Sequence, residues 1–138
     1  MAWQCIAGGA NGLVFYSWFD LWKMTEKDPF EQRWADVSSM ATEIRRFFPV
    51  LLSVEPLPPM EFSGPGGVAW RAWKSGADLY LLVVNSGTDE ASASVSFDRS
   101  LARVDCEMGK HAGRAEGRSL VLDLEPLEPR MLKVALAP

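Results

Sequence analysis

Apolar residues recur through residues 28–48 at steps of four and three: Phe30, Trp34, Val37, Ala41, Ile44 and Phe48. That spacing lines one face of an α-helix, and the face is expected to be buried. Its ends are marked as well. Asp28 is placed to cap the helix, Pro29 suits its first position, and Glu31 stands where a capping-box acid reaches back to the cap amide. Arg45 and Arg46 fall in the last turn, where cations favour the helix dipole, and Pro49 interrupts the ladder.

Beyond residue 52 the period changes. The run SVEPLPPMEFSGPGG, residues 53–67, holds four prolines and three glycines and supports neither a helix nor a central strand, so it is expected as a connector. Six short β-rich segments follow: VAWRAWK (68–74), LYLLVVN (79–85), ASASVSF (91–97), ARVDCEM (102–108), SLVLDLE (119–125) and RMLKVAL (130–136). Several alternate apolar with polar positions, and SGAD, SGTDE and GKHAGRAEG between them are rich in turn formers. An antiparallel β-sandwich over residues 68–138 is the expectation, with LYLLVV, apolar throughout, as its central strand. Trp70 and Trp73 fall on opposite faces of their strand, so one is assigned to the core and the other to the surface, where it is free to stack on a sugar.

Ahead of the helix, GGANGLVFYSWFDLW packs five aromatics into residues 15–22. Asn11-Gly12 signals a tight turn, residues 13–18 read as a strand, and an irregular loop is expected over residues 19–27. An apolar strand of this kind is usually covered on both faces, as in a parallel sheet flanked by helices. One strand and one helix do not make that environment. The overall class is therefore α+β: a strand-loop-helix over residues 1–52, the connector at 53–67, and the sandwich.

Composition narrows the chemistry. At 138 residues the chain is too short for a complete eight-stranded β/α barrel, which takes about 250. A net charge of −4 and a pI near 5.0 leave no basic surface for nucleic acid. Neither half is strongly biased, with 5 basic and 7 acidic residues in 1–60 and 9 and 11 in 61–138. No apolar run approaches the roughly 18 residues that span a bilayer, and MAWQCIAGG lacks the marks of a signal peptide, so a cytoplasmic chain without a membrane role is expected. Cys5 and Cys106 are read as free, buried thiols, and with a single histidine, His111, the chain has no zinc spacing and no expected metal or cofactor. His111 is assigned to a solvated loop, and Asp89, Glu90, Glu125 and Glu128 to turns and surface.

The order of WQCIAGGANGLVFYSWFDLW, then DPFEQRWADVSSMATEIRRFFPVLLS, then a proline-rich connector and VAWRAWKSGADLYLLVVNSG resembles the C-terminal end of β-galactosidase-like β/α-barrel glycoside hydrolases. The resemblance implies that residues 2–8 match the tail of the seventh barrel helix, residues 13–18 the eighth strand and residues 28–48 the eighth helix. The segments from about residue 68 onward match the appended sandwich. Ligand sites of such barrels lie at the C-terminal strand ends. The resemblance thus implies Trp18 as a sugar-stacking floor and Asp20 as its polar companion, because an indole face packs on the C–H face of a pyranose while polar groups bind its hydroxyls. The residues themselves also admit a plainer assignment. Phe15, Tyr16, Phe19 and Trp22 are read as core, Trp34 as helix packing, Trp18 as either core or site, and Asp20 as either ligand or loop cap.

The two carboxyl groups that glycoside hydrolysis needs lie, in the related barrels, on the fourth and seventh strands, upstream of the matched segments. No catalytic residue is therefore assigned within these residues. The expected partners are a carbohydrate ligand and either an upstream barrel segment or a second copy of the chain. The alternative is a free-standing β-sandwich that binds carbohydrate or protein and uses its N-terminal helix to oligomerise.

Overall fold

In the second half of the chain, alternating side chains become strands wherever two apolar layers are available to receive them. The computed structural model describes residues 1–15, 17–23 and 28–138. Tyr16 and residues 24–27, which belong to the expected strand 13–18 and loop 19–27, lie outside the described residues. The described elements are α1 (Ala2–Ala7), α2 (Trp18–Lys23), α3 (Phe30–Arg46), α4 (Phe48–Leu51), β1 (Met60–Ser63), β2 (Val68–Ser75), β3 (Asp78–Asn85), β4 (Ala91–Phe97), β5 (Leu101–Met108), β6 (Arg114–Glu116), β7 (Ser119–Leu124) and β8 (Pro129–Leu136). The chain is α+β, mostly β, with a small helical N-terminus.

Among the described residues the strands form two antiparallel sheets of four, in the orders β1-β4-β7-β6 and β2-β3-β8-β5. All six expected strands are present, within a residue or two of their expected ends. The two additional strands are short. β1 lies inside the proline-rich run and pairs only with β4, at the sheet edge, where flanking prolines break no ladder. β6 spans three residues of the turn-rich segment before β7 and pairs at the opposite edge.

The sheets pack face to face. Leu79, Leu81 and Val83 of β3 and Leu132 and Val134 of β8 meet Val95 of β4 and Leu120 and Leu122 of β7 in one buried layer. The outer face of the β2-β3-β8-β5 sheet is covered too. Leu82, Val84, Met131 and Trp73 lie beneath Trp3 and Ile6 of α1, Ile44 of α3, Phe47, and Val50 of α4. This is why LYLLVV is apolar without alternation: β3 lies between two strands and between two layers. Fully burying one such side chain contributes about 1.5–3 kcal/mol, so these layers are what hold the sandwich together.

Several expectations for residues 1–52 are corrected. The described residues of 13–18 form no strand, because nothing beside them offers a ladder, and the chain turns into α2 at Trp18 instead of an irregular loop. Pro29, and not Asp28, is the N-cap residue of α3, with no side-chain cap; the Arg33 amide bonds to the Pro29 carbonyl at 3.3 Å. The largest correction concerns the α3 face. Only Ile44 of the expected stripe is buried; Trp34 and Phe48 are 47% and 49% exposed. The helix docks through its C-terminal end, by Met40, Ile44 and the following Phe47, because the sandwich reaches it only there. Phe30 and Val37 are only half-buried and Trp34, Ala41 and Phe48 are exposed, so most of the stripe that the period selects is not buried.

Candidate functional site

The site expected at Trp18 is built from three successive pieces of backbone. The first is the end of α1. Gly9 takes φ +103°, a left-handed conformation open to glycine, which lets its amide bond Ile6 O at 3.1 Å and the Ala10 amide bond Cys5 O at 2.9 Å. These are the paired bonds of a Schellman turn, and they satisfy two carbonyls that the helix end would leave open. The turn ends α1, and Leu13 beyond it still packs on the outer layer of the sandwich. The second piece, residues 12–15, carries Val14 and Phe15 into the open.

The third is α2. Ser17 Oγ accepts the Asp20 amide at 3.3 Å and donates to Asp20 Oδ2 at 2.9 Å, a reciprocal cap that starts the helix at Trp18. Arg33 of α3 fastens the far end by donating to the Leu21 carbonyl at 3.2 Å. Trp18 and Trp22, one turn apart, stack with centroids 6.5 Å apart and planes 6° apart. Trp18 also meets Phe30 edge-on at 5.6 Å, and Phe30 stacks on Trp34 at 6.3 Å. The four rings form a row across α2 and α3. The row is open to solvent, with Trp18 58% and Trp22 57% exposed.

Trp18 is thus presented as an accessible aromatic surface. Asp20 does not share its face, since side chains two apart on a helix diverge, and its carboxylate is engaged by Ser17. The capping side chain of α2 is Ser17, and Asp20 supports it by accepting the Ser17 hydroxyl. Phe15, Phe19 and Trp22, expected in a core, are each more than half exposed. An apolar groove of ≈ 260 Å³ lies between the α1 turn and the C-terminal part of α3, lined among others by Leu13, Phe15, Ile44, Phe48 and Trp73.

Three polar contacts tie this N-terminal part to itself and to the sandwich. Trp3 Nε1 donates to Glu43 at 3.2 Å, Arg46 reaches both the carbonyl and the carboxylate of Glu107 at 3.0 Å, and Arg71 of β2 reaches the α1 turn. Arg71 was not legible as a functional residue from the strand pattern alone. The signal that marks it is a guanidinium in the outward row of β2, between Ala69 and Trp73, both of which pack in the apolar outer layer.

Both strand tryptophans are packed, which corrects the assignment of one to the surface. Trp73 is buried under the helices, and Trp70, on the other face, stacks on Phe62 with centroids 5.0 Å apart. Each face of β2 has a cover, complete over Trp73 and partial over Trp70.

At the loop end of the sandwich Glu128 also departs from expectation. It is buried, not a surface acid, and accepts from Arg130 Nε and Nη2 at 2.9–3.0 Å and from the Glu125 amide at 2.8 Å. Arg130 is 1% exposed and also donates to Asp123 O at 2.8 Å. Burial pushes the Glu128 carboxyl up, but the Glu125 amide and the Arg130 guanidinium outweigh it and hold it below the usual glutamate range. Asn85, equally buried, donates to Asp89 O and Glu125 O and accepts from the Gly87 amide. These are structural ties between loops. His111 is exposed as expected, whereas Cys5 is an exposed thiol and not a buried one; Cys106 is partly buried, and both are free.

Among the described residues, no group of three or more His, Cys, Asp or Glu side chains is arranged to hold a metal ion. No described helix is long and apolar enough to cross a membrane.

No protein-family description and no curated protein matches the chain. Among solved structures, it is similar to an apo exo-carrageenase GH42 from Bacteroides ovatus, with 16% identity and a TM-score of 0.43 over 80% of this chain and 14% of that one. It is also similar to Gan42B, a GH42 β-galactosidase from G. stearothermophilus, with 11% identity and a TM-score of 0.36 over 77% of this chain and 13% of that one. The chain spans about one-seventh of the length of these proteins.

Proposed function

We propose that the chain is the C-terminal portion of a glycoside-hydrolase-like protein, in which residues 1–52 complete a β/α barrel, Trp18 forms part of a sugar-subsite wall, and the sandwich is an accessory domain. The observation that carries this reading is the bare apolar surface of residues 14–48. Val14, Phe15, Trp18, Phe19, Trp22, Trp34 and Phe48 are all exposed there, although helical period selects Trp34 and Phe48 for burial. Large aromatics contribute about 150–250 Å² each, so even half-exposed the row amounts to several hundred Å², the size at which an apolar patch marks an interaction surface. A barrel segment meets that surface in the way the sequence resemblance implies. Asp20 serves in this reading by accepting the hydroxyl of Ser17, the residue that caps α2, and so helps fix where the Trp18 ring stands.

Trp18 can orient a pyranose by stacking, but it cannot protonate a leaving group or attack an anomeric carbon. The acid, base and nucleophile therefore belong to barrel strands other than these residues, and no turnover of chromogenic galactosides, glucosides or xylosides is expected from the chain alone. Titration with methyl β-galactopyranoside, followed by the Trp18 indole NMR signal, is expected to give a dissociation constant on the order of millimolar. In Trp18→Ala the galactoside is expected to leave the neighbouring Trp22 and Trp34 indole signals unshifted. Saturating turnover lost on Asp20→Asn would instead place the chemistry within this chain.

A second reading draws on the apolar groove between the α1 turn and α3. In it the chain is a free-standing sandwich module that covers its bare face with a second copy. Light scattering separates the two: a dimer whose formation quenches the indole shift favours the module, and a monomer that retains the shift favours the subsite wall.

A further inference from the structure

We infer that Arg71 is a positioning residue through which the sandwich holds the turn leading to the aromatic row. Its Nη1 donates to Ile6 O at 3.5 Å and Ala10 O at 3.4 Å, and its Nη2 to Asn11 Oδ1 at 3.1 Å. All three acceptors belong to residues 6–11, sixty or more positions away in sequence. The guanidinium also lies over the Trp73 ring, 5.2 Å from its centroid, which braces its plane against the outer layer.

The location is what makes the contact informative. Ala69 and Trp73, its neighbours on the same face of β2, pack in the apolar outer layer with Leu82 and Val84 of β3. An aliphatic side chain would suit that row, whereas a half-buried guanidinium there exchanges part of its hydration for hydrogen bonds. The bonds it makes go to one short turn. Ile6 O lies in the last turn of α1, where carbonyls outnumber helical donors and a cation is favoured. A planar fork with several donors can hold two carbonyls and an amide oxygen together, and the point charge of a lysine cannot reproduce that geometry. Gly9 makes the turn possible, and Arg71 sets where it rests. Ile6, Ala10 and Asn11 all line the apolar groove, as does Trp73, so the residues that Arg71 touches form part of that groove's wall.

The test uses the full chain with Arg71→Met, which keeps the stem, and Arg71→Lys, which keeps the charge. Hydrogen exchange and indole NMR are read together. In Arg71→Met the amides of Gly9 and Ala10 are expected to exchange at least tenfold faster and the Trp18 indole signal to move, while protection of β3 and β8 stays within twofold of the parent chain. Arg71→Lys is expected to recover only part of the loss, and it supplies the comparison if the methionine variant folds poorly. Unchanged exchange at Gly9 and Ala10 in both variants would overturn the inference, as would full recovery by lysine.

The consequence for sugar binding rests on the subsite reading above, and the two fail separately. If methyl β-galactopyranoside binds the parent chain and Arg71→Met equally well, the positioning role falls and the subsite stands. If the parent chain binds no galactoside yet Arg71→Met releases the turn, the subsite falls and the positioning role stands.

Discussion

Replacing Glu128 by Gln removes a charge from a site where its partner has nowhere else to go. Arg130 is 1% exposed, and three of its four side-chain hydrogen bonds end on the Glu128 carboxylate, the fourth on Asp123 O. Glutamine keeps one acceptor oxygen but leaves the guanidinium buried without a counter-charge. Breaking a buried pair in this way costs about 3–5 kcal/mol. Domains have total stabilities of roughly 5–15 kcal/mol, so about a fifth or more of the total is at stake, and Tm is expected to fall on the order of 10–20 °C. Urea melts at pH 7 measure the loss. The double variant Glu128→Leu, Arg130→Met is expected to be more stable than Glu128→Gln, because it removes the desolvation cost with the attraction. A loss below about 1 kcal/mol in Glu128→Gln, at unchanged m, would refute the reasoning and show that water reaches the guanidinium.

The same pair predicts a pH dependence. The folded Glu128 carboxyl titrates below its unfolded counterpart, near 4.5, so its contribution is fully present above that value and is lost as pH falls through the lower folded value. In Glu128→Gln that part of the acid-side loss is expected to disappear from melts taken between pH 6 and 2. Phe47, 3% exposed and edge-on to Trp3 at 5.9 Å, anchors the helices to the sandwich, and Phe47→Ala is expected to cost about 3–5 kcal/mol in urea melts. Trp34→Ala is expected to cost only about 0.5–1.5 kcal/mol, the worth of its contact with Phe30; equal losses at the two positions would show that the α3 face is covered in solution. Cys5 is exposed, while burial pushes the Cys106 thiol up against the opposing pull of Arg130, so a thiol reagent at pH 7 is expected to modify Cys5 first, as read by mass spectrometry of partly labelled chain.

The row of aromatics was visible in the sequence, but its state was not. Phe15, Phe19, Trp22 and Trp34 read as core because period and polarity report what a residue is suited to, and solvent exposure depends on whether a second surface is present to meet it. The described structure holds no such surface. A strand at residues 13–18 was expected on the same grounds and is absent for the same reason, since a ladder requires a neighbour.

Local pattern alone was sufficient where the whole interaction is local or where both layers lie within the chain. The α3 helix follows from its 3.6-residue period, and the six principal strands follow from alternation and turn formers, because the apolar sides of the sandwich find most of their partners between residues 60 and 138 or in the N-terminal helices. Tertiary structure decided the rest. It set the sheet orders, paired β1 from within a proline-rich run, buried Trp73 and packed Trp70 on Phe62, and engaged Asp20 with the Ser17 hydroxyl. It also brought Arg71 to a turn some sixty residues away and joined Glu128 to Arg130 in a buried pair. These are contacts between side chains whose meeting depends on how layers stack, and no spacing along a single strand or helix encodes that.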